Sequence, residues 1–374
     1  MRVEYLTGNY AVAEGAITAG LRFYAGYPIT PSSEIFEYLA KELPKVGGIV
    51  VQFEDEIASI NAVIGASWAG AKAMTATSGP GFSLMIEGLS LAIMTETPLV
   101  IAYVMRAGPS TGIATKSGQY DVMQVRWGAH GNYEIVAYAP WSVQEAYDLT
   151  IKSFNVSELL RLPVILLSDA TLAHLWERVV MRGPEEVVIM NRKKPKVPRD
   201  RYRPYEPDED LVPPMACFGE GYRVLVESLT HDERGYYKTT NEVQRKLVWR
   251  LVNKVRKNKH LVVDSASYFV DDAEYVVVAY GSTARSAYAL VKELRSKDVK
   301  IGLFRPKSIW PIDDDALIRA CSKAKKVFVV ENNVGVYVNE VCRFLKDKEV
   351  ISIPVIDLDI PSPDDILDVM REWL

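Results

Sequence analysis

Between residues 20 and 170, short runs of apolar residues alternate with stretches in which apolar residues recur every three or four positions. LRFYAGYPIT (21–30) predicts a strand and its exit loop, and GGIVVQF (47–53), KAMTAT (72–77) and PLVIAYV (98–104) predict three more strands. The segments between them predict helices: EIFEYLAKEL with Ser32 or Ser33 as N-cap, DEIASINAVIGASWAG (55–70), and FSLMIEGLSLAIM after an SGPG turn. Strands that are apolar at nearly every position predict a parallel sheet covered on both faces. The rhythm breaks at RKKPKVPRDRYRPYEPDEDLVPP (192–214), rich in proline and charge and without helical period. This reads as a linker or extended crossing segment, not as core. NEVQRKLVWRLVNKVRKN (241–258) predicts a helix with a basic face. A second β-α-β series then begins with YVVVAYGS and ARSAYALVKELRS and runs through VKIGLFRP, KVFVVENN and EVISIPVIDL (349–358). The expected architecture is α/β, with two doubly wound domains at 1–190 and 265–374, joined by an extended linker and connecting helix at 191–264.

A length of 374 residues suits two domains, and 48% hydrophobic residues exclude wholesale disorder. A formal net charge of -4 argues against a nucleic-acid-binding body. The apolar runs are too short to span a bilayer, and MRVEYLTGNY lacks the apolar core of a signal peptide. The expectation is a cytoplasmic protein with no membrane or nucleic-acid partner. Cys217, Cys321 and Cys342 lie far apart, one short of the usual four thiolates of an iron–sulfur cluster. His130, His174, His231 and His260 are not at zinc-ligand spacing, so no metal site is expected in this chain.

Candidate chemistry gathers at the predicted carboxyl ends of strands, where open α/β sheets bind ligands. Pro28 and Pro31 stiffen the backbone around Thr30, which suits either a fixed hydroxyl in a site or a rigid turn before a helix. Glu54, Asp55 and Glu56 crowd the start of a helix. Acids there complement the helix dipole, yet three like charges repel and one or two would suffice. Ala58, Ala62, Gly65, Ala66 and Ala69 share one helix face that would let another helix or chain approach closely. Glu56 falls on the opposite face, so periodicity alone does not select it. Pro80 removes an N–H from the glycine-rich turn Thr77–Phe82, which reads as close packing rather than a phosphate cradle. Arg106 emerges from the strand 98–104 into RAGPSTGIATK, where a guanidinium suits a carboxylate ligand or a structural ion pair with one of the acids.

FYAGYPITPSSEI, QFEDEIASINAVIGASWAGAKAMTATSGPGFSLMIE, RAGPSTGIATKSGQYD and, in the connector, VESLTHDERGY resemble the alpha subunit of 2-oxoacid:ferredoxin oxidoreductases. The nearest form is the 2-oxoglutarate type with separate subunits, and the resemblance spans nearly the whole chain. It implies a pyrimidine-binding domain for thiamine diphosphate followed by a transketolase C-terminal-like domain. It implies oxidative decarboxylation of a 2-oxoacid to an acyl-CoA, with ferredoxin as electron acceptor. Carried over by motif, Glu56, nine residues before Gly65, is the catalytic carboxylate that polarises the cofactor's aminopyrimidine. Arg106 holds the substrate's C1 carboxylate, Thr30 and Thr115 stand near the reacting groups, and Pro28 lies in the cofactor-binding YPITPSSE segment. Ala114 departs from the family, whose members often carry proline there.

The GDG motif with which thiamine enzymes bind the diphosphate is absent, although Asn332-Asn333 offers an asparagine pair. The resemblance therefore implies that a beta subunit holds the diphosphate, its Mg2+ and a 4Fe–4S cluster, with gamma and delta subunits completing the assembly. Other readings are a different 2-oxoacid substrate such as pyruvate or a branched-chain acid, a non-catalytic assembly homologue, and a thiamine dehydrogenase serving a lipoyl carrier. The last lacks YPITPSSE and GPSTG.

Overall fold

The computed structural model describes residues 2–373. The chain opens with β1 (Arg2–Thr7) and α1 (Gly8–Thr18). It continues through β2 (Phe23–Gly26), α2 (Ser33–Glu42), β3 (Ile49–Gln52), α3 (Glu56–Trp68), β4 (Ala73–Thr77), α4 (Gly79–Met94) and β5 (Leu99–Met105). Then come α5 (Val122–Trp127), β6 (Val136–Tyr138), α6 (Val143–Leu160), β7 (Pro163–Asp169), α7 (Ala170–His174) and β8 (Trp176–Met181). Beyond the connector lie α8 (Asn241–Lys257), α9 (Lys259–Val262), β9 (Ser265–Tyr268), β10 (Tyr275–Ala279), α10 (Thr283–Ser296), β11 (Ile301–Pro306) and β12 (Ser308–Trp310). The chain ends with α11 (Asp314–Ala320), β13 (Lys326–Glu331), α12 (Val338–Phe344), β14 (Glu349–Pro354) and α13 (Pro363–Met370).

Two sheets carry the architecture. The first runs β12-β6-β7-β5-β4-β2-β3, and the second β14-β13-β10-β11-β9. In each, the strands are parallel except one antiparallel edge strand, β12 in the first and β9 in the second. β4, β5 and β7 are buried along their whole length, as a sheet covered by helices on both faces requires. The α/β architecture expected from the sequence, with two mainly parallel sheets in chain order, is thus the one present.

Several local expectations are corrected. SGPG is not a free turn: α4 begins at Gly79, with Pro80 in the first turn, where its missing N–H costs no helical bond. Ser32 does not cap α2 with its side chain, because its Oγ donates back to the Ile29 carbonyl at 2.9 Å. β12 lies within 265–374 in sequence yet adds to the first sheet, pairing with β6. β1 and β8 form a separate antiparallel ribbon.

The proline-rich segment 192–214 is extended but is not a bare linker. Tyr205 and Val212 are buried in the two main hydrophobic clusters, as is Met215 just beyond the segment. Its prolines cannot donate hydrogen bonds, and the carbonyls of Pro204 and Pro213 accept from the buried Arg161 guanidinium at 2.9 and 3.1 Å. Arg192 pairs with Glu158, each side chain 4% exposed. The largest hydrophobic cluster mixes residues of both sheets, including Ile101 and Tyr103 with Val276 and Val329. Among the described residues no helix is long and apolar enough to cross a membrane.

Candidate active site

The first sheet reverses its order at β2, which pairs with β3 on one side and β4 on the other. A ligand crevice is expected outside the carboxyl ends of the strands at such a switch. The loop 27–32 leaves β2 there, and the N-terminus of α4 follows β4. The three acids ahead of α3 take three different roles. Glu54 is exposed, and Asp55 caps the helix by accepting from Ala58 N at 2.8 Å. Glu56 is 3% exposed. Ser59, Ile60 and Val63 are buried on the same helix, whereas the small-residue stripe from Ala58 to Ala69 remains half-buried or exposed.

Glu56 is packed against α4. A Cβ built at Gly81 would stand 2.2 Å from both Glu56 Oε1 and Thr77 Oγ1, so only glycine fits there. Among the described residues Glu56 accepts no hydrogen bond from another residue, and Thr77 Oγ1 is buried without a partner. Burial is the main cause that raises the Glu56 pKa. Its own amide N–H works against the shift, and Asp55 adds to it.

Arg106 follows β5 and is 5% exposed. Its Nη1 donates to the Thr30 carbonyl at 2.8 Å, and its Nε is buried without a partner. A Cβ at Gly79 would lie 3.3 Å from that Nε, so Arg106 and Glu56 flank the same first turn of α4. The ion-pair alternative for Arg106 is not realised, for it forms no salt bridge with any described residue.

Arg106 opens onto a cavity of about 690 Å³ lined by Pro80, Ser83, Pro109, Asp121, Val334 and Ile356, among others. Val334 and Ile356 come from the second domain and are 70% and 62% exposed. Asp121 precedes α5 but does not cap it. Burial pushes its carboxyl up to about 6, with the nearby Tyr103 hydroxyl and the charge of Arg106 opposing the shift. Tyr103 stacks on Phe82 at 4.5 Å and donates to Gln124 Oε1 at 3.2 Å.

The sequence-based candidates divide accordingly. Glu56, Arg106 and the backbone of Thr30 are brought together around one turn. The side chains of Pro28, Thr30 and Thr115 are exposed, and Thr115 makes no hydrogen bond with the other two sites. Asp121, Gln124, Val334 and Ile356 were not singled out from the sequence. Asp121 lies at the end of the quoted RAGPSTGIATKSGQYD, and that is the only signal for any of them.

A family profile described as pyruvate flavodoxin/ferredoxin oxidoreductase, thiamine diphosphate-binding, matches residues 14–248. A second, pyruvate:ferredoxin oxidoreductase core domain II, matches residues 273–358. The 2-oxoglutarate synthase subunit KorA of Methanocaldococcus jannaschii is 50% identical over 367 residues, covering 98% of each chain. The 2-oxoglutarate:ferredoxin oxidoreductase from Magnetococcus marinus, solved with 2-oxoglutarate, coenzyme A and succinyl-CoA bound, matches with a TM-score of 0.93 at 34% identity. That match covers 99% of this chain and 65% of the other, so this chain spans about two thirds of its length. A split-gene transketolase matches in fold, with a TM-score of 0.58 at 11% identity over 98% of this chain and 96% of the other.

An aminopyrimidine ring needs a buried carboxylate with a free oxygen, and Glu56, packed on Gly81 and accepting no bond from another residue, fits that requirement. Profile, full-length relative and buried carboxylate agree: the chain belongs to the thiamine diphosphate-binding pyruvate flavodoxin/ferredoxin oxidoreductase family.

Proposed function

We propose that this chain is the alpha subunit of a 2-oxoglutarate:ferredoxin oxidoreductase, which oxidatively decarboxylates 2-oxoglutarate to the acyl-CoA and carbon dioxide. The observation that carries this reading is Arg106: a buried guanidinium without an ion-pair partner among the described residues, one donor spent on Thr30 O, lining a cavity of about 690 Å³. The KorA relative and the bound ligands of the Magnetococcus enzyme support 2-oxoglutarate as the substrate.

Thiamine diphosphate, when bound, supplies the nucleophile and electron sink that decarboxylation of a 2-oxoacid requires. Glu56 would hold and return a proton at N1′ of the aminopyrimidine through its carboxyl, whose pKa is raised by burial. Arg106 orients the substrate by its C1 carboxylate, the group lost as carbon dioxide, so its grip matters most before the bond breaks. Thr30 and Thr115 offer hydroxyls that the arriving substrate and partner would enclose, and Pro28 stiffens the loop that carries Thr30. Pro80, Pro109, Val334 and Ile356 line the cavity with apolar surface and reduce the water around the reacting carbons.

The missing GDG motif supports a beta subunit as the holder of the diphosphate, Mg2+ and a 4Fe–4S cluster, with gamma and delta subunits, ferredoxin and coenzyme A as further partners in the cytoplasm. The same reading divides the chain at 1–190, 191–264 and 265–374. Reconstitution with the partner subunits is the test. Ferredoxin reduction dependent on both 2-oxoglutarate and coenzyme A is expected, with weak thiamine diphosphate binding by the lone chain in calorimetry. Sub-micromolar binding by the lone chain, or no turnover by the complex with any 2-oxoacid, would overturn it.

A further inference from the structure

The second sheet has a switch point of its own. β10 pairs with β11 on one side and β13 on the other, so the crevice expected to take a ligand lies between the turns that follow β10 and β13. Gln119 of the first domain occupies it, 1% exposed. Its Nε2 donates to the Tyr280 carbonyl at 2.8 Å, and its Oε1 accepts from Thr283 Oγ1 at 3.1 Å and Asn332 N at 3.0 Å. Its own N–H donates to Asn332 O at 3.0 Å, and its carbonyl accepts from Asn333 Nδ2 at 2.8 Å. All four polar atoms of the residue are satisfied, and every one of these partners belongs to the second domain. The turn is cut to fit: Gly281 has φ +56, and a Cβ there would meet Gln119 Nε2 at 2.9 Å. This accounts for Asn332-Asn333, which has no diphosphate motif to serve.

Gln119 also terminates the loop that starts at Arg106. Ala107, the next residue, donates from N–H to the Lys116 carbonyl at 2.9 Å and bridges to Ile113. Ser117 N donates to Leu358 O at 2.9 Å, and Lys116 pairs with Asp359 at 2.9 Å, both in the second domain. One end of the loop is therefore fixed by β5 and the other by the second domain. Residue 116 is hydrogen-bonded to the neighbour of the guanidinium.

We infer that the ligand crevice of the second domain has become an anchorage for the substrate loop, and that Gln119 is a positioning residue acting on Arg106 through the Lys116–Ala107 bond. This deepens the proposed function and rests on Arg106 as the substrate anchor. A fully satisfied buried network specifies one geometry, and a loop displaced by about 1 Å is enough to lose about a hundredfold in turnover efficiency.

The test uses the complex with its partner subunit. Gln119→Met keeps the side-chain length and removes its amide bonds. KM for 2-oxoglutarate is expected to rise about tenfold to a hundredfold, with thiamine diphosphate content unchanged and faster hydrogen–deuterium exchange over residues 107–118. Arg285→Ala is the control. It breaks another contact between the domains, to Trp141 O at 3.0 Å and Glu177 at 2.8 Å, without touching the loop. It should lower Tm and leave KM unchanged. If Gln119→Met lowers Tm in the same way while KM and loop exchange stay at wild-type values, Gln119 only joins the domains and the inference fails. Arg106→Ala separates the two ideas. An unchanged KM in Arg106→Ala sinks the substrate reading, whereas a raised KM there beside an unchanged one in Gln119→Met sinks the anchorage alone. Should Gln119→Met not fold, Thr283→Val removes a single bond to Gln119 Oε1, and unchanged loop exchange in that variant overturns the inference.

Discussion

The two switch points hold two buried glutamates in opposite circumstances. Glu331, at the end of β13, is fully buried and accepts from Tyr280 Oη, Asn333 Nδ2, Tyr337 N and Val338 N at 2.9–3.0 Å. Glu56, at the start of α3, is nearly as buried and accepts from no other residue, and burial raises its pKa. A carboxylate with four donors has its desolvation offset and contributes to folding, whereas one without them is held at a cost that the rest of the fold must carry. The crevices differ in the same way. The second is closed around Gln119, with every polar atom of that residue bonded. The first leaves Arg106 Nε, Thr77 Oγ1 and Ser78 Oγ buried and unpartnered beside a cavity. At these two crevices the satisfied polar groups belong to the closed one and the unsatisfied groups to the one that opens on a cavity.

The contrast can be broken most forcefully at Glu56. Glu56→Gln should slow turnover of the assembled enzyme by about 10²–10⁴-fold, a loss typical of removing an acid–base group, without lowering Tm. Unaltered exchange of the cofactor's C2 proton would show that the wrong carboxylate had been chosen. Next is Arg106→Ala, expected to raise KM by an amount worth about 2–5 kcal/mol while sparing the melting temperature of the substrate-free complex. Arg106→Lys keeps the charge but not the planar fork and should stay defective. A large drop in Tm with an unchanged KM would make Arg106 a structural residue.

Glu331→Gln should show the reverse pattern. Four donors would face a weaker acceptor and one new donor, so unfolding experiments should register a loss of about 2–3 kcal/mol, with turnover by the surviving complex largely retained. The smallest effect belongs to Asp121. Its carboxyl titrates near 6 when folded and near 4 when unfolded, so the folded state binds its proton more tightly. Its contribution to stability is complete below about pH 4 and is lost as pH rises through about 6, a change of at most about 3 kcal/mol that solvent at this half-buried carboxyl reduces. Asp121→Asn should therefore be more stable than the parent at pH 7, and the two curves should converge in acid. Parallel curves across that range would place the titration elsewhere.

Much of the first sheet was legible because its strands are apolar without interruption and its helices follow them at regular spacing. The resemblance, not periodicity, picked out Glu56. Its burial depends on Gly81, which lies 25 positions away and touches it only in the folded chain. Elements paired across long separations were missed. β12 is three residues long, and β1 finds β8 only after about 170 residues have folded between them. The buried course of 192–214 was hidden because its composition is that of solvated chain, and its burial rests on distant partners such as Arg161, which donates to the Pro204 and Pro213 carbonyls, and Glu158, which pairs with Arg192. Gln119 was invisible for a related reason. One glutamine in a polar loop has no pattern, and its meaning comes entirely from turns more than 160 residues downstream.

The edge strand β12 bears on how this protein can be taken apart. Ser308–Trp310 closes the β6 side of the first sheet, so a chain shortened before residue 265 would expose the unpaired backbone of β6 at a sheet edge. Such an edge is a template for pairing with another copy. The N-terminal half produced alone should therefore self-associate or precipitate, and heating the whole chain should melt both halves in one cooperative step rather than two.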